Sequence, residues 1–337
     1  MSLGHTELDR WLTEDDRLIV QADWRPLLND RFQPTTFPNL GAAEYTSQGE
    51  TTLVVDSPQS MANRLEGLSW DEAAMRPRGP FQGLPYVEVR SAATGQYLTS
   101  SRQEAHRLSG AWLRGSKTVE GQDWMAFLNE RLGLAQDVPL DWRRVCRAVS
   151  DLDPFSLTHG VFFSDAKIHG QPKIPRAITA TMDALRAKSV TSGGVKKDAV
   201  GARNEFTGGS GEGYGSIPYP RVEYTAEVIR SLFVLDVEQL RSYGLDAERT
   251  EILFLLGVWE IAQYVAKPRR HRTFCDLAPE KVHIVGTGDL PSVDELEDII
   301  RRRVPAEAAQ PLVLYHTPPP KSAKKKGDDG QAAEGGE

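Results

Sequence analysis

Two periodicities divide the chain into short elements. Arg17–Ala22 (RLIVQA) and Thr51–Asp56 (TTLVVD) are short apolar and β-branched runs, the pattern of half-buried strands. Ser57 followed by Pro58 is a helix start, a capping hydroxyl with proline in the first turn, and it leads into QSMANRLEGL. Tyr86–Arg90 and Gln96–Thr99 flank Ala93-Thr94-Gly95 as a hairpin would. Gln122–Leu132 and Leu140–Ala148 switch to helical spacing, with Trp124, Phe127, Leu128 and Leu132 on one face. Leu157–Phe163 reads as a strand and Arg221–Leu235 as another. Glu251–Val265 reads as a strongly apolar helix, Thr273–Val285 as mixed, Val293–Arg303 as a charged helix and Pro311–Tyr315 as a last strand.

Three stretches resist this pattern. Asp23–Tyr45 is punctuated by Pro and Gly and reads as a loop. Ile178–Val190 has helical propensity but enough Thr and Val for a strand. Thr191–Ser216 is glycine-rich with almost no large apolar residue, a long loop of the kind that carries function or stays disordered. Strands and helices intersperse without regular βα alternation, so the fold class is α+β. After Thr317 no large apolar residue remains, and 317–337 is expected to be a disordered tail beyond a folded part spanning 1–316.

Composition narrows the class. The 337 residues are 39% hydrophobic and 26% charged, with a net charge of -7. No apolar run reaches the roughly 18 residues of a membrane-spanning helix. The first thirty residues, with Asp9, Glu14, Asp15 and Asp16, lack the layout of a secretory signal, and the two cysteines, Cys146 and Cys275, form no CxxC pair. The expectation is a reduced, cytoplasmic protein with no membrane partner. The acidic balance argues against a globally basic nucleic-acid binder, but Ser164–Arg203 holds eight Lys and Arg against three Asp. Lys267, Arg269, Arg270, His271 and Arg272 form a second, acid-free knot.

Catalytic motifs are missing. Gly110–Lys117 misses the Walker spacing by one residue, and Gly209, Gly211, Gly213 and Gly215 alternate rather than matching GxGxxG. There is neither HExxH nor GxSxG, so no catalytic residue, metal or cofactor is assigned. His159 and His169 are the residues that could serve a nuclease as general acid or base. The stronger pattern is a phosphate cradle, made of a Ser/Gln/Asn/Arg-bearing helix start, a glycine-rich loop with interleaved Lys and Arg, and a basic knot. Phe32, Phe37, Met61, Phe206 and Tyr214 supply apolar surface for bases.

RFQPTTFPNLGAAEY, DSPQSMANRLEGLSWDEA, EAHRLSG, HGVFF, KIPRAITATMDA, SGGVKKDAVG and RHRTFCDLAP occur in one order between about Leu18 and Leu290. In this the chain resembles the RAMP-superfamily backbone subunit (seventh Cas group) of subtype I-U, now I-G, CRISPR-Cas Cascade effectors. The resemblance implies an RRM-like (ferredoxin-like) palm, a helical insertion at about 100–150 and an extended thumb at about 191–216. It tips Ile178–Val190 towards strand. It also implies the partners: CRISPR RNA, target DNA paired to the guide, further copies of the chain and other Cascade subunits. Ser57-Pro-Gln-Ser60 looks like the helix start that meets guide phosphates in related subunits, with proline in place of one backbone amide. The RNA-binding set implied is Arg31, Gln33, Ser57, Gln59, Ser60, Asn63, Arg64, Lys173, Arg176, Lys196, Lys197, Arg203, Arg270 and Arg272. Related type III subunits cut target RNA with a loop aspartate, so the resemblance leaves an alternative, a ribonuclease acting on guide precursor or target RNA with His159, His169 or Asp198 as the acting group. The tail lies outside the resemblance.

Overall fold

Strand β1 (Arg17–Pro26) buries Leu18, Val20, Ala22 and Trp24 on one face and turns the intervening residues outward. The alternation continues past Ala22 through a bulge at Asp23/Trp24, so the strand takes the first four residues expected to be loop. On its outer face Asp23 accepts from Arg230 Nε at 2.7 Å. The computed structural model describes residues 3–196 and 217–318. The further labelled elements are β2 (Glu44–Ser47), β3 (Glu50–Asp56), α1 (Pro58–Glu66), β4 (Ile178–Leu185), β5 (Lys188–Lys196) and β6 (Ile217–Thr225). They are followed by β7 (Val228–Asp236), α2 (Ala247–Val265), β8 (Arg269–Arg272) and β9 (Cys275–Ile284).

Seven of these strands form one antiparallel sheet in the order β8-β9-β1-β7-β4-β3-β2. Helices α1 and α2 pack against each other and against β4 and β7. α2 is buried along nearly its whole length, with Phe254, Trp259 and Tyr264 in the core. Trp24 meets Tyr264 edge to face at 5.7 Å and donates its indole N–H to Ser231 Oγ at 2.8 Å. A smaller sheet joins Ser116–Thr118, Leu312–His316, Val87–Ser91 and Tyr97–Ser100 in that order. The last two are the expected hairpin, and the C-terminal strand adds parallel to Val87–Ser91. The helices expected over 122–132 and 140–148 are Trp124–Leu132 and Trp142–Leu152, each capped by an aspartate side chain.

Strands β8 and β3 lie near opposite ends of the sheet order. Even so, Arg272 Nη2 in β8 donates to the Val55 carbonyl in β3 at 2.7 Å. The sheet therefore curls until its ends meet, with the segment from Phe32 to Ala43 laid across the seam.

Three expectations change. Leu157–Phe163 is not one strand: Phe155–Thr158 is a helical turn buried on all sides, and only Val161–Phe162 pairs, with Lys173–Ile174. A short run with no exposed face carries no usable period. Arg221–Leu235 belongs to two strands, because the chain turns at Ala226-Glu227 and Arg186 pairs with Glu227 there. Ile178–Val190 is extended, and its burial alternates over Ile178–Leu185, so tertiary pairing overrides helical propensity. Of the expected thumb, β5 and β6 pair in register from Lys188↔Thr225 to Lys196↔Ile217. Residues 197–216, with Lys197, Asp198, Arg203, Phe206 and Tyr214, lie outside the described residues, as do 319–337 of the tail.

Candidate nucleic-acid interface

The first side chain to consider is one the sequence reading passed over. Asp56 ends β3, is 1% exposed, and gathers four donors from distant parts of the chain. Ser60 Oγ donates to its Oδ1 at 2.7 Å and Arg64 Nε to its Oδ2 at 2.8 Å, from the first and last turns of α1. Arg272 Nη2 donates to Oδ1 at 3.1 Å, and His271 Nδ1 bonds to Oδ2, both from β8. Asp56 is thus the clasp that closes the curled sheet. Burial alone raises its carboxyl pKa, but the hydrogen bonds from His271 and Ser60 and the Arg64 charge outweigh this and hold it below its ordinary value.

The two arginines are more committed than the sequence suggested. Arg64 also donates to the carbonyls of Arg270 (3.2 Å) and His271 (2.6 Å). Arg272 also donates to the Gln33 carbonyl (3.2 Å) and Thr35 Oγ1 (3.1 Å). Each side chain is only about a quarter exposed, 27% for Arg64 and 26% for Arg272. Their first task is shape. Ser57 caps α1 by accepting from Ser60 N at 3.3 Å, as its position predicts.

His271 is buried between Asp56 and the Tyr264 hydroxyl, which lies 3.4 Å from Nε2. Burial pushes its pKa down, and the Arg64 and Arg272 charges add to this against the pull of Asp56. The neutral tautomer with its proton on Nδ1 satisfies both neighbours. A histidine held neutral in the fold but free to protonate near pH 6.5 when unfolded adds stability above that pH and loses it as pH falls below. Urea titrations between pH 7.5 and 5.5 should show a slope of up to about 1.4 kcal/mol per pH unit from this group. His271→Gln should flatten the slope by that amount; an unchanged slope would show that the buried imidazole is charged.

Beside the clasp, the outer face of α1 opens on a groove. Its lining includes Gln59 and Asn63 of α1, Arg107, Gly160 and Phe162, and Lys173 and Arg176. Arg107 grips Glu66 through Nε (2.8 Å) and Nη2 (2.6 Å) and gives its remaining nitrogen to the Gly160 carbonyl at 2.8 Å. Gly160 has φ +80°, and a Cβ there would lie 2.9 Å from the Ile174 carbonyl oxygen and 3.0 Å from the Arg176 nitrogen. Only glycine lets the two segments approach this closely. Arg176 Nη2 donates to Gln59 Oε1, and Gln59 Nε2 to Asn63 Oδ1 at 2.9 Å. Neither Arg176 nor Lys173 has a carboxylate within 4.0 Å among the described residues. Burial, followed by the nearby Arg107 charge, pushes the Arg176 guanidinium below its ordinary pKa, as expected of a cation lacking a counter-ion.

The remaining candidates separate. Arg270 is 65% exposed and 3.9 Å from Asp276, so it has donors to offer. Arg31 leans on Glu223 (2.9 Å) at the base of the β5–β6 hairpin, and Gln33 accepts from Arg221 Nε at 3.4 Å. Arg221, which the sequence reading did not single out, lies 4.2 Å over the ring of Phe274. Phe32 and Met61 are buried and offer no face to a base, whereas Phe37 is exposed. The backbone of Lys196 ends β5. Of the ribonuclease candidates, His159 is 1% exposed and bonds through Nε2 to Glu260 at 3.0 Å inside the core. The backbone N–H of His169 donates to Asn129 Oδ1 at 3.0 Å. Among the described residues no group of three His, Cys, Asp or Glu side chains is placed to hold a metal ion, and no helix is long and apolar enough to cross a membrane.

The fold and groove define an α+β protein whose curled sheet, closed by a buried aspartate, sets a row of cations and amides along one helix. The chain belongs to the family described as CRISPR-associated protein GSU0053, whose profile matches residues 18–189. Among solved structures it is similar to a chain of a "CRISPR RNA-guided surveillance complex, pre-nicking", with 11% identity over 80% of this chain and 77% of that one, at a TM-score of 0.45. A chain of a "CRISPR RNA-guided surveillance complex" has 10% identity over 80% and 68% respectively, at a TM-score of 0.35. No curated protein matches the chain.

Proposed function

We propose that the protein is a non-catalytic backbone subunit of a type I CRISPR surveillance assembly. In this reading copies of the chain polymerise along one CRISPR RNA, hold its phosphates and present it for pairing with target DNA. The observation that carries the reading is the convergence of Gln59, Asn63, Lys173 and Arg176 on one groove whose lining, among the described residues, contains no acid. Arg270, exposed on the strand that the clasp holds against α1, adds a further cation. Cations and amides in a row, without a catalytic constellation beside them, suit a backbone that must be held regardless of sequence.

The strand order supports an RRM-like palm as the scaffold. Strands β9-β1-β7-β4 run in the order of a ferredoxin-like sheet, with α1 in the connection from β1 to β4 and α2 in that from β7 to β9. The β5–β6 ladder is then the base of the thumb, and the helices within 100–150 form the insertion. Membership of a CRISPR-associated family supports a place in a CRISPR assembly.

The test is co-expression with a CRISPR array and its partner subunits, followed by the 260/280 nm absorbance ratio, native mass and sequencing of co-purified RNA. The expected result is one discrete guide-length RNA carrying several copies of the chain. A nucleic-acid-free monomer that binds no guide RNA at low salt would overturn the proposal. Intact RNA after prolonged incubation is expected; cleavage that His169→Ala abolishes would favour a ribonuclease instead.

A further inference from the structure

Phe162 is 48% exposed, a large aromatic face left in water beside a groove rich in hydrogen-bonding groups. Its neighbour Val161 is buried and pairs with Ile174, which fixes the direction in which the Phe162 ring faces. Across the two-residue ladder Phe162 is opposite Lys173, whose ammonium lies 5.8 Å from the ring centroid. Asn63 Oδ1 is taken by Gln59, so the Asn63 amide N–H groups have no protein partner among the described residues. His106 is exposed on the same rim. The groove thus offers an aromatic plate, a polar edge and two cations, Lys173 and Arg176, with no paired acid among the described residues. An unpaired nucleotide, with a planar base, a hydrogen-bonding edge and a phosphate, matches all three in one unit.

We propose that the groove between α1 and Phe162 is a nucleotide pocket for single-stranded RNA. One base stacks on the Phe162 ring, its edge meets Asn63 and His106, and the adjoining phosphate is held by Lys173 and Arg176. This inference rests on the RNA-binding reading and adds a base-contacting subsite, with Phe162 as its main residue. The subsite tolerates any base, because stacking needs only a π face. Lys173, within cation–π range of the ring, also links the base and phosphate contacts.

The experiment measures anisotropy of a short fluorescein-labelled oligouridine on the purified full-length chain across a salt series. Phe162→Ala should weaken binding roughly 5- to 100-fold while leaving the slope of log affinity against log salt unchanged, because a base contact and no phosphate contact is lost. Phe162→Trp should restore binding. Should Phe162→Ala lose its thermal transition, Phe162→Leu, of similar bulk without a π face, should show the same weakening. Affinity for Phe162→Ala and Phe162→Leu within about two-fold of wild type would overturn the pocket while leaving the RNA-binding reading intact. A wild-type chain that binds no oligouridine at low salt would overturn both.

Discussion

Asp56→Ala is expected to be the most damaging single change in the protein, costing about 3–5 kcal/mol of stability and lowering the thermal midpoint by ~10 °C. The carboxylate is buried, so its loss leaves Arg64, Arg272, His271 and Ser60 facing one another without their common acceptor. Nothing local can replace it, since α1 and β8 meet nowhere else through a shared acid among the described residues. RNA affinity should fall with stability, because the seam positions Arg270 and the start of α1. Asp56→Asn keeps the volume and one acceptor oxygen, so it should fall between wild type and Asp56→Ala. The pH dependence follows from its depressed pKa. A carboxyl that ionises more readily in the fold contributes stability above its unfolded value of 3.8, and this is lost as pH falls through the folded value. Urea midpoints for the three proteins at neutral pH and below pH 3.8 check both statements. A cost below about 1 kcal/mol for Asp56→Ala would show that the seam is held by packing rather than by the clasp.

Replacing Lys173 and Arg176 together by alanine should weaken RNA binding about 100-fold or more at low salt, since charge-assisted hydrogen bonds contribute roughly 1.5–3 kcal/mol each. The slope of log affinity against log salt should become shallower by about 1.4, the counterion release of two phosphate contacts on a single strand. Neither cation has an acidic partner within the described residues, so their removal breaks no ion pair there and should leave the fold unchanged. This separates the two predictions. The Asp56 variants act through stability, whereas the Lys173/Arg176 double variant acts on binding alone. An unchanged salt slope would remove Lys173 and Arg176 from the proposed phosphate contacts.

The groove was partly legible beforehand. Ser57, Gln59, Ser60, Asn63 and Arg64 fall within one turn or two of a helix whose cap and proline announce its start, so their nearness follows from local geometry. Lys173 and Arg176 carried a weaker signal, an excess of positive charge in an acidic chain, and only folding placed them across from Gln59. Phe162 carried no signal, because in HGVFF it looks like any other apolar strand residue. Asp56 carried none either, since an acid after a β-branched run is an ordinary strand ending.

What the sequence determined by itself is therefore what short-range periodicity and propensity can encode: α1 and its cap, the Val87–Ser100 hairpin, the helices after Asp123 and Asp141, the helical character of α2, and the α+β class. The tertiary structure decided which cations remain available. Arg64 and Arg272 read as phosphate ligands in the sequence, yet their donors point to an aspartate and carbonyls of the seam, from partners as far as 239 residues away. A side chain's chemistry depends on the groups left beside it after burial, and those groups are brought together by strand order rather than by neighbours in the chain. The same physics leaves Arg176 and Lys173 without counter-ions among the described residues, and so with charge to offer an anion.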